Sequence, residues 1–117
     1  GITNEADARA AILPMLTSAH PPTAVFSAQN LITVGVITAL QQTGRSHRVA
    51  LIGFDDIPMG ELLSPAVTVI QQDPARIGRI SAERVFARLD GEATEPAEFL
   101  VPTTLIPRGS GEITVTE

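Results

Sequence analysis

Two short apolar runs, Thr23–Ala28 and Arg48–Phe54, alternate with segments of helical periodicity, and this alternation limits the fold more than any other feature. Short runs with little internal alternation read as strands covered on both faces. Strands alternating with helices imply an α/β fold with a mainly parallel sheet. The first helix is capped by Asn4, carries Glu5 and Asp7 in its first turn, and repeats Ala8, Ala11, Ile12, Met15 and Leu16 at helical spacing. Pro14 should kink it or force a restart near Leu13. Leu31–Gln42 reads as a second helix, with Leu31, Val34, Gly35, Thr38 and Ala39 on one face. Gly35 costs about 1 kcal/mol against Ala in a helix interior, so close packing should offset it. Thr43-Gly44 then stops the helix.

Beyond Phe54, Asp55-Asp56-Ile57-Pro58 leads into a short helix from Met59 to Leu63 and a strand at Val67–Ile70. Asp73 caps a third helix with Pro74 at its first position, Ile77, Ile80, Val85 and Leu89 as its stripe, and Gly91 after its end. Glu98–Val101 and Thr104–Pro107 read as two short strands separated by Pro102. Because a helix opens the chain, the sheet is thin and the edge along Thr23–Ala28 is expected to be bare.

Composition removes several function classes. Of the 117 residues, 44% are hydrophobic and 18% charged, which suits a packed core. There is no Cys, so neither a disulfide framework nor a thiolate metal site exists. The net charge is −5, with eight Arg and no Lys, a poor balance for binding nucleic acid unaided. No run approaches the roughly 18 apolar residues of a membrane span, and Gly1–Glu5 has no signal-peptide character.

In open α/β sheets, ligands bind beyond the carboxyl ends of the strands. Two such ends fall here, at Ser27-Ala28-Gln29-Asn30 and at Phe54-Asp55-Asp56. If the strands are neighbours, Gln29, Asn30 and Asp55 share one crevice. Amides beside a carboxylate offer donors and acceptors together, which suits polyhydroxylated small molecules. Asn30 also fits a helix cap, and Asp55-Asp56 also fits a simple strand-end turn. Neighbours on an extended chain point oppositely, which argues against a metal shared by the two carboxylates. His20 and His47 lie in loops, Ser27 lacks a nucleophile-elbow frame, and no partner activates a general base, so an enzyme is not expected. The four Arg of the third helix read as a solvated or salt-bridged face.

The run Pro22–Asn30 with the helix after it resembles the strand–helix unit of LacI/GalR-type transcriptional regulators, as does Val49–Pro58 with Leu62–Pro65, Thr68, Val69 and Gln72. Ile77-Gly78, Asp90-Gly91 and Leu100–Ser110 extend the resemblance to roughly residues 5–110. It implies a three-layer, Rossmann-like sensor domain of the periplasmic-binding-protein type 1 fold, whose two lobes close on a sugar-like, polyol or nucleoside-like effector. It further implies a C-terminal portion of such a domain, with about 1–72 and 104–110 in one lobe and about 73–101 in the other.

Carried over by position, Gln29, Asn30, Asp55 and Gln72 would bind ligand, and Leu31, Val34, Thr38, Ile57, Met59 and Leu62 would belong to a homodimer interface. Gln29-Asn30 stands where the family has Asn-Asp, losing a carboxylate that grips hydroxyls. Operator DNA would be met only through an N-terminal helix-turn-helix outside this sequence. The protein would be cytoplasmic, with no cofactor, metal or membrane partner. The alternative is the solute-binding protein of an ABC transporter, which shares the two-lobe fold.

Overall fold

A computed structural model describes residues 1–92 and 95–114. Its elements are α1 (Glu5–Leu16), β1 (Ala24–Ser27), α2 (Asn30–Gln42), β2 (Ala50–Phe54), a 3₁₀ turn (Gly60–Leu62), β3 (Thr68–Gln71), α3 (Pro74–Leu89) and β4 (Thr104–Ile106). The four strands form one sheet in the order β1-β2-β3-β4. β1 runs parallel to β2, and β2 runs parallel to β3. The chain divides into two compact units, one of Gly1–Gln71 with the tail from Leu105, the other of Gln72–Thr104.

The first unit holds the core. Asn4 caps α1 by accepting the Asp7 N–H at 2.9 Å. Ala8, Ile12 and Leu16 form its buried face. Pro14 neither breaks nor restarts the helix, which runs unbroken to Leu16. Only the Ala10 carbonyl loses a helical donor, one turn from the end, and Ala10 is exposed to water. α2 crosses α1 at Gly35, where an added Cβ would overlap the Glu5 carbonyl and lie 2.8 Å from Ala8 Cβ.

The buried face of α2 is Thr33, Gly35, Val36, Ala39 and Leu40, a rotation away from the sequence reading. Leu31 is exposed, and Val34 and Thr38 are half-buried. The helix packs on two apolar clusters at once. One contains Ile12, Leu16, Val36, Leu40, Val49 and Leu51, and the other Ile57, Val67 and Val69 with Val34 and Ile37 against them.

β1 is an edge strand, as expected of the run Thr23–Ala28, but it departs from the expectation of cover on both faces, because Phe26 is 58% exposed. Ala24 is exposed as well and Val25 only half-buried, so the strand's apolar character is not matched by cover on both faces. The short helix expected at Met59–Leu63 is a 3₁₀ turn over Gly60–Leu62, with Met59 left-handed at φ 60°.

In the second unit, Asp73 caps α3 by accepting the Arg76 N–H at 2.9 Å, and Pro74 begins the helix. Gly91 follows its end at φ 89°, a conformation glycine adopts freely. α3 has no buried residue. Of its apolar stripe only Ile80 is half-buried, while Ile77, Val85 and Leu89 are exposed. Arg84 is not simply solvated: it donates to the Glu95 carbonyl at 3.1 Å and lies 5.4 Å from the Phe99 ring centre. No strand forms at Glu98–Val101, and β4 ends at Ile106. A strand needs a paired ladder; Pro102 removes a donor, and no described strand lies beside that segment.

Candidate functional site

Register brings two strand ends to one edge of the sheet. Ser27 is partnered with Gly53, so Gln29 and Asp55 each follow two residues beyond a paired position. Neighbouring strands are about 4.8 Å apart. Gln29 and Asn30 are exposed and Asp55 is half-buried. Asn30 is not the cap. The extended residue at that position is Gln29, which makes no side-chain cap bond, while Asn30 Oδ1 accepts from the Leu31 N–H at 2.8 Å.

A buried hydroxyl pair lies under this edge. Thr33 N–H and Thr33 Oγ1 both donate to the Gln29 carbonyl, at 2.9 and 3.1 Å. Thr33 Oγ1 also shares a buried hydrogen bond with Ser27 Oγ, in which either hydroxyl can donate. Gly53 passes beneath Thr33, where an added Cβ would lie 2.9 Å from Thr33 Oγ1. Sequence reading missed Ser27, Thr33 and Gly53 as supports. The available signal was a glycine in a buried strand near a hydroxyl in a helix's first turn.

Asp55 is left-handed at φ 66°, so the chain at Asp55-Asp56 is bent and the extended-chain argument about opposite faces does not hold. The two carboxylates are separated in role by another cause. Asp56 accepts from Arg108 Nη1 at 2.8 Å and Nη2 at 2.6 Å. The Arg108 guanidinium, bonded to it, holds the Asp56 carboxyl below the usual aspartate range despite partial burial. No group of three or more His, Asp or Glu among the described residues could hold a metal ion. No described helix is long and apolar enough to cross a membrane.

Gln72 is half-buried and is the first residue of the second unit. With Ile77, Ile80, Arg84 and Phe99 it lines an open groove of about 610 Å³ within that unit. Of the residues matched to a dimer surface, Met59 and Leu62 are 70% and 75% exposed, and Leu31 is exposed as well. Thr38 donates its hydroxyl to the Val34 carbonyl at 2.9 Å. Ile57 is 8% exposed and packs in the core with Val67 and Val69.

Comparison with known proteins gives a consistent picture. Residues 2–111 match the periplasmic binding protein-like domain. The HTH-type transcriptional regulator CelR of Thermobifida fusca is 34% identical over 104 residues, covering 87% of this chain and 31% of that protein. The ribose operon repressor of Haemophilus influenzae is 31% identical over 101 residues, covering 85% of this chain and 30% of the repressor. The chain thus spans about a third of the length of these curated relatives.

Among solved structures, a LacI-family regulatory protein from Chloroflexus aggregans is 30% identical with a TM-score of 0.81, covering 94% of this chain and 41% of that one. A LacI-family transcriptional regulator from Enterococcus faecium with bound ribose is 26% identical with a TM-score of 0.79, covering 95% of this chain and 41% of that one.

Proposed function

The chain belongs to the periplasmic binding protein-like domain family, and from that membership we propose that it is the effector-sensing part of a LacI-type transcriptional regulator. The observation that supports this is the parallel register of β1 and β2, which brings the carboxyl ends of the two strands, followed by Gln29-Asn30 and by Asp55, to the same edge of the sheet. Ligand hydroxyls both donate and accept, and this set of two amides and a carboxylate answers both needs. A small polyhydroxylated effector such as a sugar is the ligand class it fits. The ribose-bound relative supports the same class. Gln72 is the fourth ligand residue of this proposal.

Regulation follows from differential binding. An effector that favours one conformation of the whole regulator shifts its population, and operator affinity shifts with it in a separate DNA-binding module. With a net charge of −5, this chain contributes no DNA-binding field of its own. The exposed Leu31, Met59 and Leu62 supply apolar surface for a homodimer, while Ile57 supports them from the core. A cytoplasmic setting accompanies this role. The relatives are transcriptional regulators, so a transport role is not favoured and no catalytic step is assigned.

Thermal-shift measurements on the intact regulator against ribose, other sugars, polyols and nucleosides test the reading. A true effector at 100 times its Kd should stabilise the protein by about 2.7 kcal/mol. Asp55→Ala should remove that stabilisation while leaving the unliganded fold intact. An unchanged response would remove Asp55 from the site. A tight operator complex formed by this chain alone would overturn the division between sensing and DNA binding.

A further inference from the structure

The loop leaving β2 carries two consecutive aspartates with different fates. Asp55 belongs to the proposed ligand site, and Asp56 has no part in it. Asp55 holds a left-handed backbone at φ 66°, which non-glycine residues seldom adopt. Such a conformation persists only where the surroundings over-determine it. Two anchors bracket Asp55 here. On one side its own N–H donates to the Ile70 carbonyl of β3 at 2.9 Å. On the other, the Asp56 carboxylate accepts the Ile57 N–H at 2.9 Å and both terminal nitrogens of Arg108.

Arg108 is itself fixed. Its backbone N–H donates to Thr68 Oγ1 at 3.0 Å, and its side chain is 16% exposed. The tail beyond it is laced to the same strands. Ser110 Oγ donates to the Leu51 carbonyl at 2.6 Å and accepts the Thr68 N–H at 2.9 Å. Glu112 accepts from Thr68 Oγ1 at 2.9 Å and from the Gly109 N–H at 2.7 Å. The guanidinium is thus a rigid two-pronged clamp on the residue immediately after Asp55.

We propose that the Asp56–Arg108 pair positions the ligand-binding carboxylate: it fixes the chain one residue past Asp55 and so keeps Asp55 left-handed. The effect on ligand rests on the assignment of Asp55 to the binding site, whereas the effect on the backbone does not. Arg108 acts through Asp56 and Asp55, not by touching ligand. The fork geometry matters, because two parallel N–H donors lock the carboxylate plane, and a lysine ammonium cannot reproduce that. A merely stabilising ion pair would affect the whole unit evenly; a positioning pair changes Asp55 selectively.

The test uses the intact protein with Arg108→Gln, Asp56→Asn and the milder Arg108→Lys, which retains the charge should the first two fold poorly. NMR reads the backbone angle of Asp55 and the exchange of its amide. Each variant is expected to move Asp55 out of the left-handed region or average it with other conformations. Its amide should exchange at least tenfold faster, while the Ala39 amide in α2 changes less than twofold. An Asp55 that stays left-handed in all three variants, or exchange that rises equally at Asp55 and Ala39, overturns the proposal.

Titration with D-ribose adds the functional arm. If ribose binds, Arg108→Gln should weaken it about tenfold with Asp55 present and leave it unchanged in the Asp55→Asn background; equal losses in both backgrounds would overturn the coupling to Asp55. A ribose affinity unaffected by Asp55→Asn, together with a displaced Asp55 in Arg108→Gln, would remove the ligand assignment and retain the positioning role. Where ribose does not bind, the backbone measurement alone decides.

Discussion

The two units of this chain are specified to different depths. In the first, α1 and α2 cross at a glycine, and both bury residues against β2 in a continuous apolar cluster. In the second, α3 has a side-chain cap, a proline in its first turn and a glycine after its end, yet none of its residues is fully buried. Local signals suffice to define a helix. They do not supply the surface against which its stripe is covered. Tertiary packing gives most helical stability in proteins, so the second unit has the local definition without the larger contribution.

The sharpest way to break this contrast is to truncate one leucine in each unit. Leu16 is fully buried and Leu89 is 75% exposed. In urea unfolding, Leu16→Ala should cost about 2–5 kcal/mol. Leu89→Ala should fall within about 0.5 kcal/mol of the parent. Comparable losses at both positions would show that α3 has a packed partner after all.

The helix crossing offers the next largest effect. Gly35→Ala improves intrinsic helix propensity by about 1 kcal/mol. The new methyl nevertheless overlaps the Glu5 carbonyl and crowds Ala8, forcing α1 away from α2. A net loss of about 1–3 kcal/mol is expected, read from the shift in denaturation midpoint. A stabilised variant would mean that the crossing is looser than its geometry indicates.

A smaller effect tests electrostatics within the first unit. Asp56 has its pKa lowered by Arg108, so the folded state binds its proton less readily than the unfolded chain. The resulting stabilisation is complete above the unfolded aspartate range and is lost as pH falls below about 4 through the lower folded value. Asp56 is partly exposed, which limits the contribution to about 1 kcal/mol or less. Arg108→Gln should flatten this acid limb of the stability profile; a parent and variant with parallel acid limbs would contradict it. The smallest change belongs to α3, where an added Cβ at Gly78 meets nothing. Gly78→Ala should slow amide exchange in that helix by the equivalent of about 0.5–1 kcal/mol, with no change in α1.

Legibility in the sequence follows the range of the interactions. Asn4 with Asp7, and Asp73 with Pro74, are relations within one turn, and both helix starts could be read directly. The strand runs were visible, and their parallel pairing placed Gln29 and Asp55 at one edge. Exposure of Phe26 was not visible, because an apolar strand does not reveal which of its faces has a partner. The missing strand at Glu98–Val101 has the same origin: extended character was readable, a neighbour to pair with was not. Asp56 with Arg108 spans 52 residues, and no local spacing announces it. The rotated face of α2 reflects its position between two clusters, where no single stripe describes what is buried.

The lacing of Ser110 onto β2 and β3 also bears on the order in which the molecule can assemble. Its bonds reach 59 residues back to Leu51 and 42 back to Thr68. β2 and β3 can meet earlier through their own register, but the start of β3 lacks a partner for the Thr68 amide until residue 110 arrives. Contacts of such long sequence separation raise contact order and slow the search for the native state. During synthesis the Thr68 amide therefore gains its partner only after residue 110 has left the ribosome, and until residue 108 emerges the loop bearing Asp55 lacks its clamp.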